Sequence, residues 1–75
     1  MLNDSYVIWF DFPYGRTYFK DSYWLESVVS SRNIEIPQYT QDIDEAKIFT
    51  DKEEALRKGR FYAGKYGYGV EPKQV

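Results

Sequence analysis

Apolar and aromatic side chains alternate from Tyr6 to Phe12, with Tyr6, Ile8, Phe10 and Phe12 on one face and Val7, Trp9 and Asp11 on the other. β-Branched and aromatic residues at a two-residue period predict a strand. Both faces begin apolar, so the strand is expected to be central. Pro13-Tyr14-Gly15 interrupts the run and suits a turn. Arg16-Thr17-Tyr18-Phe19-Lys20 then returns as the hairpin partner.

The pattern blurs from Asp21 to Ser31. Leu25, Val28 and Val29 fit one helical turn, whereas Tyr23, Trp24, Val28 and Val29 also suit a strand. Ser27, Ser30 and Ser31 are poor helix interiors, so extended or mixed structure is favoured. Arg32-Asn33 reads as a turn. Ile34-Glu35-Ile36 alternates briefly and is stopped by Pro37, which lacks an N–H and argues against a central strand. Asp42 to Ala46 reads as a short acidic turn, with Lys47-Ile48-Phe49 packing back into the core.

The period changes after Phe49. Ala55, Leu56, Gly59, Tyr62, Ala63 and Tyr66 recur at three- and four-residue spacing and share a helical face. Thr50 and Glu53 form a capping-box pattern, and Asp51, Glu53 and Glu54 place negative charge on the first turn. A helix from Thr50 to about Tyr66 is expected, stopped by Gly67. Gly59 costs helix stability and is useful only where the helix backbone approaches a sheet closely. Tyr68 to Glu71 reads as a final strand, closed by Pro72. The expected fold is α+β: one domain, residues 1–75, with a small antiparallel sheet of three to four strands. The one main C-terminal helix covers one face of that sheet.

Composition narrows the chemistry. The 75 residues contain neither cysteine nor histidine, so disulfides, thiolate metal sites and imidazole catalysis are excluded. No phosphate-binding loop or nucleophile-elbow motif is present. The chain is therefore expected not to be an enzyme, with no catalytic residues, no metal site and no cofactor. The carboxylates between Asp42 and Glu54 do not have the spacing of a calcium loop and read as helix caps and solvated starts. The net charge of −2 argues against a globally basic nucleic-acid binder. No apolar run reaches membrane-span length, and the N-terminus lacks the regions of a signal peptide. A cytoplasmic location is expected.

Two Trp, eight Tyr and five Phe are more rings than so small an interior easily hides. The surplus is expected to touch another molecule. Around the hairpin, Tyr14 and Tyr18 offer rings for stacking, and Arg16 and Lys20 offer charge for phosphates. Trp9 and Trp24 are the largest rings, and Arg57 and Arg60 belong to a basic cluster on the exposed side of the helix. These eight residues form the candidate binding set. The stretch Lys65-Tyr66-Gly67-Tyr68-Gly69-Val70 loosely resembles the aromatic-glycine strand of RNA-recognition domains, but the motif is incomplete.

The order of elements also carries a family resemblance. A β-hairpin is followed by Thr40, Asp42, Ile43, Glu45, Ala46, Lys47 and Phe49 at T-x-D-I-x-E-A-K-x-F spacing. Glu54-Ala55, a helix and a final strand complete the pattern. The arrangement resembles a group of very small accessory proteins of bacteriophages and prophages of Gram-positive bacteria. Relative to that pattern, Asp21 to Ile36 looks like an insertion. The resemblance implies an accessory product that interferes with a host system such as defence. With the ring excess and the missing catalytic chemistry, the expected role is binding and inhibiting a host component through an aromatic surface. An alternative is a sponge that sequesters a nucleotide-like immune signal, with Tyr14, Arg16, Tyr18 and Lys20 as its cradle. A direct nucleic-acid binder ranks third. A homo-oligomer, such as a homodimer, is expected from the open sheet face and sheet edge.

Overall fold

The computed structural model describes residues 5–26 and 32–73. Four strands, β1 (Tyr6–Phe12), β2 (Gly15–Glu26), β3 (Asn33–Thr40) and β4 (Gly67–Pro72), form one antiparallel sheet in the order β3-β2-β1-β4. A single 3-10 turn (Ile43–Glu45) and one helix, α1 (Lys52–Ala63), lie between β3 and β4. The α+β architecture read from the sequence is the one observed.

The central strand is β1. Its register pairs Phe10 with Thr17 of β2 and with Tyr68 of β4, and Ile8 with Val70. Directly opposed residues share a face, so these side chains form the covered side of the sheet. There Ile8, Phe10, Phe19, Phe49, Ala55, Tyr62 and Ala63 make the buried core, with Phe12, Tyr39, Tyr68 and Val70 packed against it. Phe19 stacks on Tyr62 with centroids 4.5 Å apart, and Tyr39 meets Phe10 and Phe12 edge-on. Gly59 sits where helix and sheet come closest. A Cβ there would lie 3.0 Å from Ile8 Cγ2 and 3.1 Å from the Tyr68 ring.

Several boundaries differ from the sequence reading. The helix cap is Asp51, not Thr50: its side chain accepts from the N–H groups of Glu53 and Glu54. A carboxylate one residue later does the same work with more charge. The helix ends at Gly64, whose φ of 62° lies in the left-handed region, three residues before Gly67. Leu56 and Tyr66 remain partly exposed, so the buried stripe is Ala55, Gly59, Tyr62 and Ala63. The β2 strand continues to Glu26, which resolves the ambiguous segment as extended that far; Ser27 to Ser31 lie outside the described residues. The β3 strand runs through Pro37 to Thr40 because it is an edge strand, where a missing N–H is tolerated.

A β-bulge at Lys20 divides β2 in two. Before it, β2 pairs with both β1 and β3. Beyond it, Asp21–Glu26 pair only with β3, as a two-stranded ribbon. In the space that opens beside the start of β1, the Lys47 N–H donates to the Phe19 carbonyl, and Tyr6 and Phe49 exchange backbone hydrogen bonds. The segment before Lys47 runs from β3 toward the far edge of the sheet. Thr40 bonds the Asp42 N–H and the Glu45 carboxylate, Asp42 caps the 3-10 turn, and Asp44 reaches Lys73 Nζ at 2.7 Å.

Candidate functional site

The sheet face opposite the helix, where Val7 is fully buried and Arg16 stands exposed, gathers three of the candidate residues. Trp9 pairs with Tyr18 across β1 and β2, and Asp11 with Arg16. The Arg16 guanidinium lies 4.1 Å from the Trp9 ring centroid, and its Nε donates to Asp11 at 3.1 Å. On the other side the indole lies flat over Gly69: a Cβ there would stand 2.3 Å from Trp9 Cζ2. Trp9 is therefore sandwiched between a strand backbone and a cation. Burial, then the neighbouring Glu71 carboxylate, pushes the Tyr18 hydroxyl above its ordinary value. Both broad faces of the Trp9 ring are occupied, so its edge is what a ligand would meet.

The remaining hairpin candidates separate from this group. Tyr14 is 64% exposed in the turn, and its ring tilts against Phe12 on the covered side, with Tyr66 edge-on to Phe12. Lys20 is exposed at the bulge. Tyr14, Arg16, Tyr18 and Lys20 thus do not converge on one cradle. Tyr68 lies on the covered face opposite Phe10, so the aromatic-glycine strand presents no open ring pair.

A second assembly forms between the ribbon and α1. On the helix side, Tyr62 Oη donates to Glu35 of β3 at 2.5 Å, and Ser22 bonds the same carboxylate. Those two hydrogen bonds hold the Glu35 carboxyl below its ordinary value. Burial, reinforced by Glu35, pushes the Tyr62 phenol well above its own. Tyr39 Oη donates to the Tyr62 carbonyl at 3.3 Å and ties the same helix turn to the edge strand.

Two hollows flank this tie. A cleft of about 330 Å³ opens toward the start of the helix, floored by Phe19, Phe49 and Tyr62 and walled by charged side chains including Lys47, Glu54 and Lys58. A groove of about 500 Å³ opens on the other side and is lined by Trp24, Arg32, Asn33, Ile34, Glu35 and Phe61. Trp24 is 63% exposed there and Phe61 74%. Phe61 was missed in the sequence because it falls off the apolar stripe of α1. The available signal was a ring among cations, in Arg57-Lys58-Gly59-Arg60-Phe61. Arg57 precedes Phe61 by one helical turn and shares its side of the helix, whereas Arg60 is rotated about 100° away by the helical repeat.

Of the fifteen rings, Phe10, Phe19, Phe49 and Tyr62 are buried, six more are partly covered, and Tyr14, Tyr23, Trp24, Phe61 and Tyr66 are exposed. The acidic residues are largely engaged as caps and surface contacts, as at Asp42, Asp44, Glu45 and Asp51. Among the described residues, no helix is long and apolar enough to cross a membrane. Comparison with protein-family models, curated proteins and solved structures gives no match.

Proposed function

We propose that this chain is a non-enzymatic binding protein that docks a host protein through its aromatic-rich surface and inhibits it, a role in keeping with a phage-type accessory protein. A defence component of the host cytoplasm is the partner that the resemblance favours. The observation that supports the reading is the set of five exposed rings in so small a chain. Exposed Trp, Tyr and Phe flanked by Arg is the composition of interface anchors. The nucleotide sponge draws less support, because Tyr14 turns away from Arg16 and Tyr18, and Arg16 is already engaged by Trp9 and Asp11.

The test is affinity capture from lysate of a Gram-positive host, with the unaltered protein and a Trp24→Ala/Phe61→Ala double variant run side by side. A partner held by the first and released by the second is the expected result. Absence of any specific partner, with the bait shown to be folded, counts against the proposal. A nucleotide panel in thermal denaturation separates the alternative: a marked rise in Tm with one nucleotide would move the assignment to sequestration.

A further inference from the structure

We infer that the open edge of β4 pairs with the β4 edge of a second copy, joining two four-stranded sheets into one. The inference does not depend on the host-binding reading above. β4 lies at the end of the strand order, with β1 on one side only. Lys73 donates its backbone N–H to the Ser5 carbonyl, so Lys73 faces β1. Backbone groups alternate in direction along a strand. Glu71, Gly69 and Gly67 therefore also face β1, and Tyr68 and Val70 turn their N–H and C=O groups outward. Among the described residues, nothing pairs with those four outward groups.

The two edges of the sheet are not alike. The β3 edge carries Pro37, which has no N–H to offer and blunts the strand as a template. β4 has no lysine, no proline before Pro72 and an unbroken register with β1. It is left as a regular strand with an unprotected side.

The side chains favour a copy of the same strand as the occupant. An antiparallel pairing centred on Gly69 sets Gly69 against its copy and Tyr68 against the Val70 of the copy. Each Tyr68–Val70 pair then exchanges both backbone hydrogen bonds, and all the outward groups are used. On the helix face each pair sets an aromatic against a β-branched side chain, and both residues already pack on the core. On the opposite face, the facing glycines leave room for the Trp9 indole, which reaches over Gly69 toward the joint. A foreign strand offers the hydrogen bonds without this match of shapes.

The helices add a second contact. α1 packs on β1 and β4, and neighbouring strands lie about 4.8 Å apart. Joined edges therefore bring α1 to about 10 Å from its copy, a distance at which helices pack. The flank of α1 turned away from the ribbon carries Leu56, which is 37% exposed, together with Lys52, Glu53 and Arg60. A flank of mixed sign does not repel its copy as a single-signed one would. The ribbons, with Trp24 and Phe61, stand at the outer ends of such a dimer, clear of the joint.

The experiment is sedimentation equilibrium of the full chain from micromolar to millimolar concentration, with amide hydrogen exchange followed by NMR. At the top of the range the expected mass is twice the 9.0 kDa of one chain. Leu56→Glu, at an exposed helix position, is expected to weaken the dimer about tenfold or more, and circular dichroism verifies that the variant folds. The Tyr68 and Val70 amides are expected to exchange about tenfold or more slowly in the dimer than in the single chain obtained by dilution or by Leu56→Glu. The Gly67 and Gly69 amides, which face β1, should be protected in both. A chain that stays single throughout, a particle larger than a dimer, or a dimer whose Tyr68 and Val70 amides exchange as fast as in the single chain would overturn the inference. So would a dimer abolished by Trp24→Ala/Phe61→Ala and untouched by Leu56→Glu, which would place the joint on the ribbon. The host-binding reading stands or falls by partner capture, not by particle mass.

Discussion

Gly69→Ala is the sharpest probe of the sheet face opposite the helix. The added Cβ would lie 2.3, 2.5 and 2.7 Å from Cζ2, Cε2 and Nε1 of Trp9. Carbon contacts settle near 3.5 Å or beyond, so the indole must retreat by about 1 Å or more. Arg16, 4.1 Å from the ring centroid, blocks a simple retreat. Overpacking of this kind costs about 1–3 kcal/mol, and displacing Arg16 forfeits a cation–π contact of about 0.5–1 kcal/mol. Replacing a strand glycine returns roughly 0.5–1 kcal/mol. The net expectation is a loss of about 1–3 kcal/mol. Urea unfolding followed by far-UV circular dichroism measures it without relying on the indole that moves. At about 4–8 °C per kcal/mol for a domain of this size, the thermal shift is also easily read. The decisive comparison is the same substitution in a Trp9→Ala background, where the collision is gone and Gly69→Ala becomes neutral or mildly stabilising. An equal loss in both backgrounds would refute the account, because the strain would then lie in the backbone and not in the indole.

Gly67→Ala places its Cβ 3.7 Å from Asp11, an ordinary contact, so it is expected to stabilise by about 0.5 kcal/mol in the same urea assay. Gly59→Ala gains helix propensity but meets Ile8 and Tyr68 at 3.0 and 3.1 Å, and a net loss of about 1 kcal/mol is expected by thermal unfolding. Asp51→Ala removes the cap of α1 and is expected to cost about 1 kcal/mol, visible as reduced helicity and Tm. Glu35 has a depressed folded pKa, so its contribution is present above the unfolded carboxylate range and is lost as pH falls through the folded value. Glu35→Gln is therefore expected to flatten the fall of Tm below about pH 4.5, the ordinary glutamate value, and an unchanged acid slope would sink the assignment.

The fold was legible where two signals coincided. The β1 alternation and its broken turn placed the hairpin, and the three-and-four spacing with acidic residues at its start placed α1. What misled was competition between neighbours. Thr50 and Asp51 both qualify as caps, and only the backbone entering the helix decides between them. Gly64 and Gly67 both qualify as stops, and the left-handed conformation went to the first. The ribbon was harder to see, because a bulge at Lys20 reverses which side chains face the helix. Simple alternation through β2 therefore puts Trp24 on the wrong side. The candidate set divides for the same reason: Trp9, Arg16 and Tyr18 meet on one face, while Trp24 and Arg57 belong to the other, beside a Phe61 that no periodicity selected.

The rings can be sorted by whether the fold itself explains them. Phe19 and Tyr62 stack, Phe10 and Phe12 are braced by Tyr39, and Trp9 is enclosed by Gly69 and Arg16. Tyr14 and Tyr66 at least lean on Phe12. The ribbon is different. A two-stranded ribbon is marginal on its own, and this one is tied to the body through Tyr62, Tyr39 and the Phe19 carbonyl, the first of these reaching Glu35 opposite Trp24. Trp24 and Leu25 are nevertheless half exposed or more, and Phe61 points away from the core that its neighbours Tyr62 and Ala63 build. Polar residues at those three positions would forfeit little burial and would suit an exposed ribbon better. If the chain binds through its aromatic surface as proposed, the residue types there answer to a contact outside the chain, and changes at Trp24 and Phe61 are expected to alter binding far more than they alter Tm.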